Sequence, residues 1–320
     1  MNKNKEGPKL ITTVTINPAI DYTFKTDKLD LDKVNRVEFA RKVPAGKGIN
    51  VAKTVNNLKE EVKTLGCLAK NNGDYIVDYL NKQGVITDFN WREGEVRINA
   101  KVIDQKHKTK INQYGEEVPT EILTKVKQKI KDNVLTSEII VLSGSLPPGC
   151  PDNYYKEIIK EIKKIDQQTK VFLDAAKEPL KLGLEAKPDL IKPNRRELEE
   201  LWGQELSFSE VVDASQKLVE QGIEIVIVSL GAKGAILATK EQVLHAFPPQ
   251  VEVYSTVGAG DSLVGAAAVG YIRGYKIRKI LKFAIAMSTA TVLLPAAEVG
   301  SLAKTESLLE QIKVNDLRKK

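Results

Sequence analysis

The segment Ser255-Thr256-Val257-Gly258-Ala259-Gly260-Asp261-Ser262 carries the residue types needed to move a phosphoryl group. Gly258 and Gly260 let backbone N–H groups come close to an anion, and the apolar run Leu263 to Ile272 predicts a helix whose positive end faces it. Asp261 falls in the first turn, where a carboxylate can accept the proton of an attacking hydroxyl. Taken alone, the same residues also make an ordinary glycine turn with Asp261 as N-cap. Two nucleotide motifs are excluded. No Lys-Ser/Thr pair follows, as Walker A requires, and the glycines lack the spacing and position of a dinucleotide fingerprint.

Other polar clusters also sit where strands and helices meet. Gly46-Lys47-Gly48-Ile49-Asn50 opens a helix and offers glycines, an ammonium and an amide to a polyhydroxylated or anionic ligand. Asn17-Pro18-Ala19-Ile20-Asp21 closes the first strand, where Asp21 can bind sugar hydroxyls or simply shape a turn. In Lys192-Pro193-Asn194-Arg195-Arg196-Glu197, Asn194 and Glu197 have capping-box spacing, and the same pair could hold Mg²⁺ through water. Ser143 to Gly149 and Ser229-Leu230-Gly231-Ala232-Lys233-Gly234 are turn chemistry just after strands. Arg97 and Asn99 share one strand face by period-two geometry, which would aim a guanidinium at a phosphate.

The elements that must position these residues alternate along the chain. Leu10 to Ile16, Thr64 to Leu68, Ile139 to Leu142, Val171 to Leu173, Leu190 to Lys192, Ile225 to Ser229 and Val251 to Tyr254 read as strands. Helical spacing separates them, as in Val51, Val55 and Leu58, or Ile122, Val126 and Ile130. Such alternation predicts an α/β fold, a mostly parallel central sheet flanked by helices, with ligands at the strands' carboxyl ends. Two stretches, about 21–43 and 90–115, break the rhythm and predict a small β-sheet lid within a single domain spanning 1–320. The alternation of Val96, Ile98, Ala100 and Val102 suggests an exposed edge strand in need of a partner, and so a homodimer through the lid. The terminal segments Met1 to Lys9 and Asn315 to Lys320 read as frayed.

Composition narrows the function classes. With 42% hydrophobic and 28% charged residues, 320 residues suffice for a large core, and a disordered chain is excluded. The 49 basic residues exceed the 42 acidic ones by seven, which favours an anionic ligand. Basic residues are mixed with acids and not interleaved with aromatics, so nucleic acid is not expected. Two cysteines and two isolated histidines argue against zinc, and no apolar run is long enough for a membrane span. No signal peptide is read, and the expected location is cytoplasmic.

In their order along the chain, Asn17 to Asp21, Gly46 to Asn50, Arg97-x-Asn99, Ser143 to Gly149, Lys192 to Glu197, Ser229 to Gly234 and Ser255 to Ser262 resemble the motifs of the PfkB, or ribokinase-like, sugar kinases. The resemblance runs from about Leu10 to about Gly300. It implies a ribokinase-like fold and a transfer from ATP, with Mg²⁺, to a sugar phosphate. Asp21, Gly46, Lys47, Asn50, Arg97 and Asn99 would bind the sugar phosphate. Lys192, Asn194, Glu197, Ser229, Gly231, Gly234, Ser255 and Val257 would serve ATP, Glu197 reaching the metal through water. Gly258, Ala259 and Gly260 would form an anion hole, with Asp261 as base. The branch it resembles most phosphorylates fructose 1-phosphate at C6, and branches acting on tagatose 6-phosphate or fructose 6-phosphate share the motifs. A non-catalytic sugar-phosphate-binding scaffold would keep the fold but lose Asp261 or its glycines, and all are present.

Overall fold

A computed structural model describes residues 10–37, 39–295 and 298–318. The chain opens with β1 (Leu10–Thr15), β2 (Ala19–Lys25), β3 (Phe39–Ala45) and α1 (Lys47–Asn57). It continues through β4 (Val62–Ala69), α2 (Lys70–Asn81), β5 (Ile86–Glu95), β6 (Arg97–Ile103), β7 (Lys108–Asn112) and α3 (Thr120–Asp132). Then come β8 (Ser137–Ser143), α4 (Tyr154–Ile165), β9 (Lys170–Asp174), α5 (Lys177–Leu184), β10 (Leu190–Ile191), α6 (Arg195–Trp202), α7 (Phe208–Glu220) and β11 (Ile225–Ser229). The remainder is β12 (Ala235–Ala238), β13 (Val243–Phe247), α8 (Ala259–Ile272), α9 (Ile277–Val292), α10 (Leu302–Leu309) and β14 (Lys313–Asp316).

The large sheet has the order β14-β13-β12-β11-β10-β9-β8-β1-β4-β5. It is parallel from β11 to β5 and antiparallel from β11 to β14. Its central strands are continuous apolar runs because both faces are covered. Successive residues feed opposite layers. Ile139 and Val141 pack with α1, α8 and α9, whereas Ile140 and Leu142 pack with α3 and α4. Each fully buried Leu or Ile contributes about 1.5–3 kcal/mol. Helix α8 is buried nearly all round between α1 and α9, which accounts for its small and apolar sequence.

The small sheet has the order β3-β2-β6-β7. Its register sets Asp21 beside Val43 on one side and Asn99 on the other. A large, mostly parallel sheet with a separate small sheet is the arrangement expected, and it corrects four readings of the sequence. The small sheet draws on residues 19–45 and 97–112. Residues 90–95 belong to β5, which pairs with β4 in the large sheet. Strand β6 is hydrogen-bonded on both sides, by β2 and β7, so it is not an edge strand. Residues 251–254 form no strand, and Tyr254 and Ser255 instead donate their N–H groups to the Val292 carbonyl at 2.8 and 3.1 Å. Asn315, read as frayed, pairs with His245 within β14. The rest of the expected frayed ends, residues 1–9, 319 and 320, lies outside the described residues.

Candidate active site

Helix α8 begins at Gly258, whose left-handed φ of 81° turns the chain into the helix without a Cβ penalty. Gly258 is therefore the N-cap, and Asp261 lies two residues inside the first turn, not at the cap. The first-turn N–H groups of a helix lack intrahelical acceptors and point to where an anion would sit. Asn50, on α1, donates its Nδ2 hydrogen to the Asp261 carboxylate at 2.8 Å. That contact needs α1 and α8 to approach closely, and Gly265 permits it: a Cβ there would lie 2.8 Å from Thr54. The Thr54 and Thr291 hydroxyls also meet the Ser262 hydroxyl at 3.3 and 2.9 Å, tying α1, α8 and α9 together.

A second cluster centres on Asp174, at the carboxyl end of β9. Its Oδ1 accepts from Lys47 Nζ at 2.9 Å and faces Lys192 Nζ at 3.4 Å. Lys47 Nζ also lies 3.7 Å from Glu197 Oε1. A Cβ added to Gly260 would sit 3.4 Å from Lys192 Nζ, so this cluster borders the α8 turn. Burial raises the pKa of Asp174, but Lys192 and Lys47 outweigh it and hold the carboxyl below its ordinary value. Burial and then Asp174 push Asp261 the other way, above the ordinary carboxylate value. Two neighbouring carboxylates with opposed shifts are an arrangement suited to acid–base chemistry. Burial disfavours the Lys47 ammonium, yet Asp174, Glu197 and Asp261 together keep its pKa raised.

The small sheet supplies a third group. The Asp21 carboxylate accepts from Asn99 Nδ2 at 2.8 Å and from Lys101 Nζ. Asp21 thus sits mid-strand in β2, not in the turn that the sequence suggested. Arg97 Nη2 donates to the Asn17 carbonyl at 3.1 Å and its Nη1 to the Asn99 side chain at 3.3 Å. Between the small sheet and Asp261 stands Lys53, one helical turn after Asn50, donating to the Pro44 carbonyl at 2.9 Å. Burial lowers its pKa to about 8, against the pull of Asp21 and Asp261.

Two hollows flank the α8 turn. One, of about 710 Å³, is lined by Asn194, Ser229, Gly231, Gly234, Ala259 and Gly260 among others. Its inner wall is apolar, with Leu263, Ile285 and Val292, as an adenine ring would need. The other, of about 850 Å³, lies between the small sheet and residues 252–257 and is edged by Lys25, Arg41, Lys101 and Lys108. Ser255 and Val257 line this second hollow, whereas Thr256 lines both. The structure therefore brings Asn50 to Asp261, Asp21 to Asn99, and Lys47 to Glu197. It sets Asn194, Ser229, Gly231 and Gly234 in one wall. Gly46 is the N-cap of α1, immediately before Lys47.

Sequence reasoning missed Asp174 and Lys101. Asp174 is the residue directly after the apolar run Val171 to Leu173, and that position at the end of a parallel strand was its only signal. Among the described residues, Asn50 Oδ1, Ser143 Oγ and Asp174 Oδ2 are buried acceptor atoms with no hydrogen-bond partner. Polar atoms left open in this way fit a ligand that donates to them. The described residues contain no group of three or more His, Cys, Asp or Glu able to hold a metal. The donor set instead fits Mg²⁺ carried on phosphates. Glu197 Oε2 is taken by the Asn194 N–H in the capping box, and Oε1, which lies 3.7 Å from Lys47 Nζ, would be shared between that ammonium and a water on such a metal.

Residues 11–302 match the family described as pfkB family carbohydrate kinase. The 1-phosphofructokinase of Haemophilus influenzae is 36% identical over 310 residues, covering 95% of this chain and 97% of that protein. The 1-phosphofructokinase of Bacillus subtilis is 33% identical over 309 residues, covering 96% of this chain and all of that protein. The crystal structure of phosphofructokinase-2 from Escherichia coli in complex with substrates and products superposes with a TM-score of 0.86 at 26% identity, covering 94% of this chain and 98% of that one.

Proposed function

Because the chain belongs to the pfkB family of carbohydrate kinases, we propose that it transfers the γ-phosphoryl group of ATP to the C6 hydroxyl of fructose 1-phosphate. The products are fructose 1,6-bisphosphate, ADP and one proton. The observation that carries this reading is Asp261, held by Asn50 in the first turn of α8, where Ala259 and Gly260 line one hollow and Val257, just before the turn, lines the other. The choice of fructose 1-phosphate rests on the relatives named 1-phosphofructokinase.

In this reading the nucleotide lies along Asn194, Ser229, Gly231 and Gly234, with its phosphates toward Gly258, Ala259 and Gly260. The sugar phosphate lies under the small sheet, which acts as a lid, with Asp21 and Asn99 on its hydroxyls and Lys47 and Arg97 near its charge. Asp261 accepts the C6 hydroxyl proton as the oxygen bonds to the γ-phosphorus, and the bond to the ADP oxygen breaks in line. The α8 N–H groups, Lys47 and Lys192 face the negative charge spread over the transferring group. Mg²⁺, when bound with ATP, neutralises part of that charge. The lid keeps water from replacing the sugar.

ADP release measured with Mg-ATP on fructose 1-phosphate, tagatose 6-phosphate and fructose 6-phosphate tests the reading. Preference for fructose 1-phosphate is the expected result. Preference for a 6-phosphate keeps the mechanism and moves the acceptor, an arm that the match to E. coli phosphofructokinase-2 in complex with fructose-6-phosphate makes worth running. No turnover on any of them would leave only a sugar-phosphate-binding scaffold. The setting that suits this chemistry is the cytoplasm. Among the described residues no helix is long and apolar enough to cross a membrane, and Cys67 and Cys150 are unpaired thiols.

The assembly proposed is a homodimer through the small sheet, on a basis different from the edge strand expected. Asp21, Asn99 and Lys101 occupy one face, and Tyr22, Phe24, Ile98, Ala100, Val102 and Ile111 occupy the other. Ile111 is 62% exposed, and the remaining five are only partly covered. An apolar sheet face of this kind is suited to a second copy of itself. Light scattering at micromolar concentration is expected to give twice the chain mass, and Phe24→Lys to halve it. A monomeric wild type ends the proposal.

A further inference from the structure

We propose that His245 is a positioning residue for the nucleotide: its imidazole fastens the turn Ser229–Gly234 to β13, and the turn so held is the wall on which ATP lies. The inference rests on the nucleotide reading of the hollow above and adds to it a residue that touches neither substrate.

The turn is short and strained for space. Gly231–Lys233 form a single 3₁₀ turn, closed by Leu230 N–H to the Gly234 carbonyl at 2.8 Å and Gly234 N–H to the Gly231 carbonyl at 2.9 Å. Gly234 has a φ of 87°, and a Cβ on it would come within 1.8 Å of the Ala246 carbonyl oxygen, so the turn rests directly on β13. Ser229, Gly231, Ala232 and Gly234 all face the hollow. Glycines that permit this approach leave the turn few side-chain contacts of its own. From the strand below, the His245 side chain reaches it, its Nε2 lying 2.8 Å from the Lys233 carbonyl oxygen.

A carbonyl only accepts, so the Nε2 atom carries the proton and donates. The ring is fixed in place as well. His245 is 6% exposed, with the ring of Phe247 3.9 Å and that of Phe208 5.1 Å from its own centroid. Burial lowers its pKa, and the Lys233 bond offsets this only in part, which favours the neutral imidazole. A neutral donor gripped by two rings holds one carbonyl of the turn without placing a charge behind the phosphates. Loss of that bond frees the turn from β13 and makes its ordering a cost of nucleotide binding.

The test compares wild type with His245→Leu, which removes the donor, and His245→Gln, which keeps an N–H on a side chain able to reach the carbonyl. ADP affinity by calorimetry and the KM for ATP are expected to weaken about fivefold in the Leu variant, the scale of one lost neutral hydrogen bond. The Gln variant is expected to recover part of this, and kcat at saturating ATP and the KM for the sugar phosphate to stay as in wild type. ADP affinity unchanged in both variants, even with lowered melting temperature, makes His245 merely structural and overturns the inference. If the Leu variant does not fold, the wild type decides. The chain has two histidines, and on adding ADP the ring signals of His245 must shift while those of His107, exposed beyond β6, stay. No shift overturns the inference. A wild type that binds no ADP at all removes the nucleotide reading itself, which separates that failure from the first.

Discussion

Asp261→Asn is expected to lower kcat about 10³-fold, roughly 4 kcal/mol of barrier, with ADP affinity within a factor of about two of wild type. The amide has the size of the carboxylate and sits on the same first turn of α8, so the fold and the nucleotide wall are untouched. What disappears is the acceptor for the hydroxyl proton. Asn50 donates to Asp261 and holds its carboxylate in one orientation, leaving the other lone pairs for the sugar. Burial and the neighbouring Asp174 raise the pKa of Asp261, so the acid limb of the wild-type kcat/KM profile lies above the ordinary carboxylate range. That limb should vanish in the variant. A variant that keeps within tenfold of wild-type kcat, acid limb included, would show that the base lies elsewhere.

Asp174→Asn separates two effects that point in opposite directions. Asp174 is fully buried and faces two ammonium groups, one of them the buried Lys192. Removing its charge leaves the buried Lys192 ammonium without the Asp174 carboxylate it faces, and breaking a buried pair in this way costs about 3–5 kcal/mol of stability. Denaturant unfolding should show the loss. For the pH profile the sign is reversed. Asp174 is a like charge beside Asp261 and raises its pKa, so the variant lowers that pKa and shifts the acid limb of activity to lower pH. Lys47 and Lys192 remain nearby and push the same way. An acid limb that moves up, or a stability equal to wild type, would contradict the assigned arrangement.

The parts of the site legible in the sequence are those whose meaning is local. Gly258-Ala259-Gly260-Asp261 announces a helix start that can take an anion, and Asn194 with Glu197 forms the capping box its spacing predicts. Asp174 is different. Its partner Lys47 lies 127 residues away, and nothing near it in sequence distinguishes it from any Asp that follows a strand. Lys101 and Lys53 are hidden for the same reason, because lysines in a lysine-rich chain read as surface until the fold buries them. Val251 to Tyr254 has strand-forming residues, but the N–H of Tyr254, like that of Ser255 after it, goes to one carbonyl at the end of α9. Strand β6 showed its alternation plainly. What one strand cannot show is that neighbours arrive from both sides, β2 from 78 residues earlier in the case of Asp21 and Asn99.

The separation of the two hollows sets the traffic through the molecule. No residue of β2, β3, β6 or β7 lines the hollow read as the nucleotide's, while the other hollow has the small sheet as one wall. On this plan the enzyme has two doors. ADP and ATP use an opening that the small sheet does not border, whereas the sugar's opening has that sheet along one side. A second copy bracing the apolar back of that sheet would then act as a latch on one door alone, setting how fast sugars come and go while nucleotide exchange ran at its own pace.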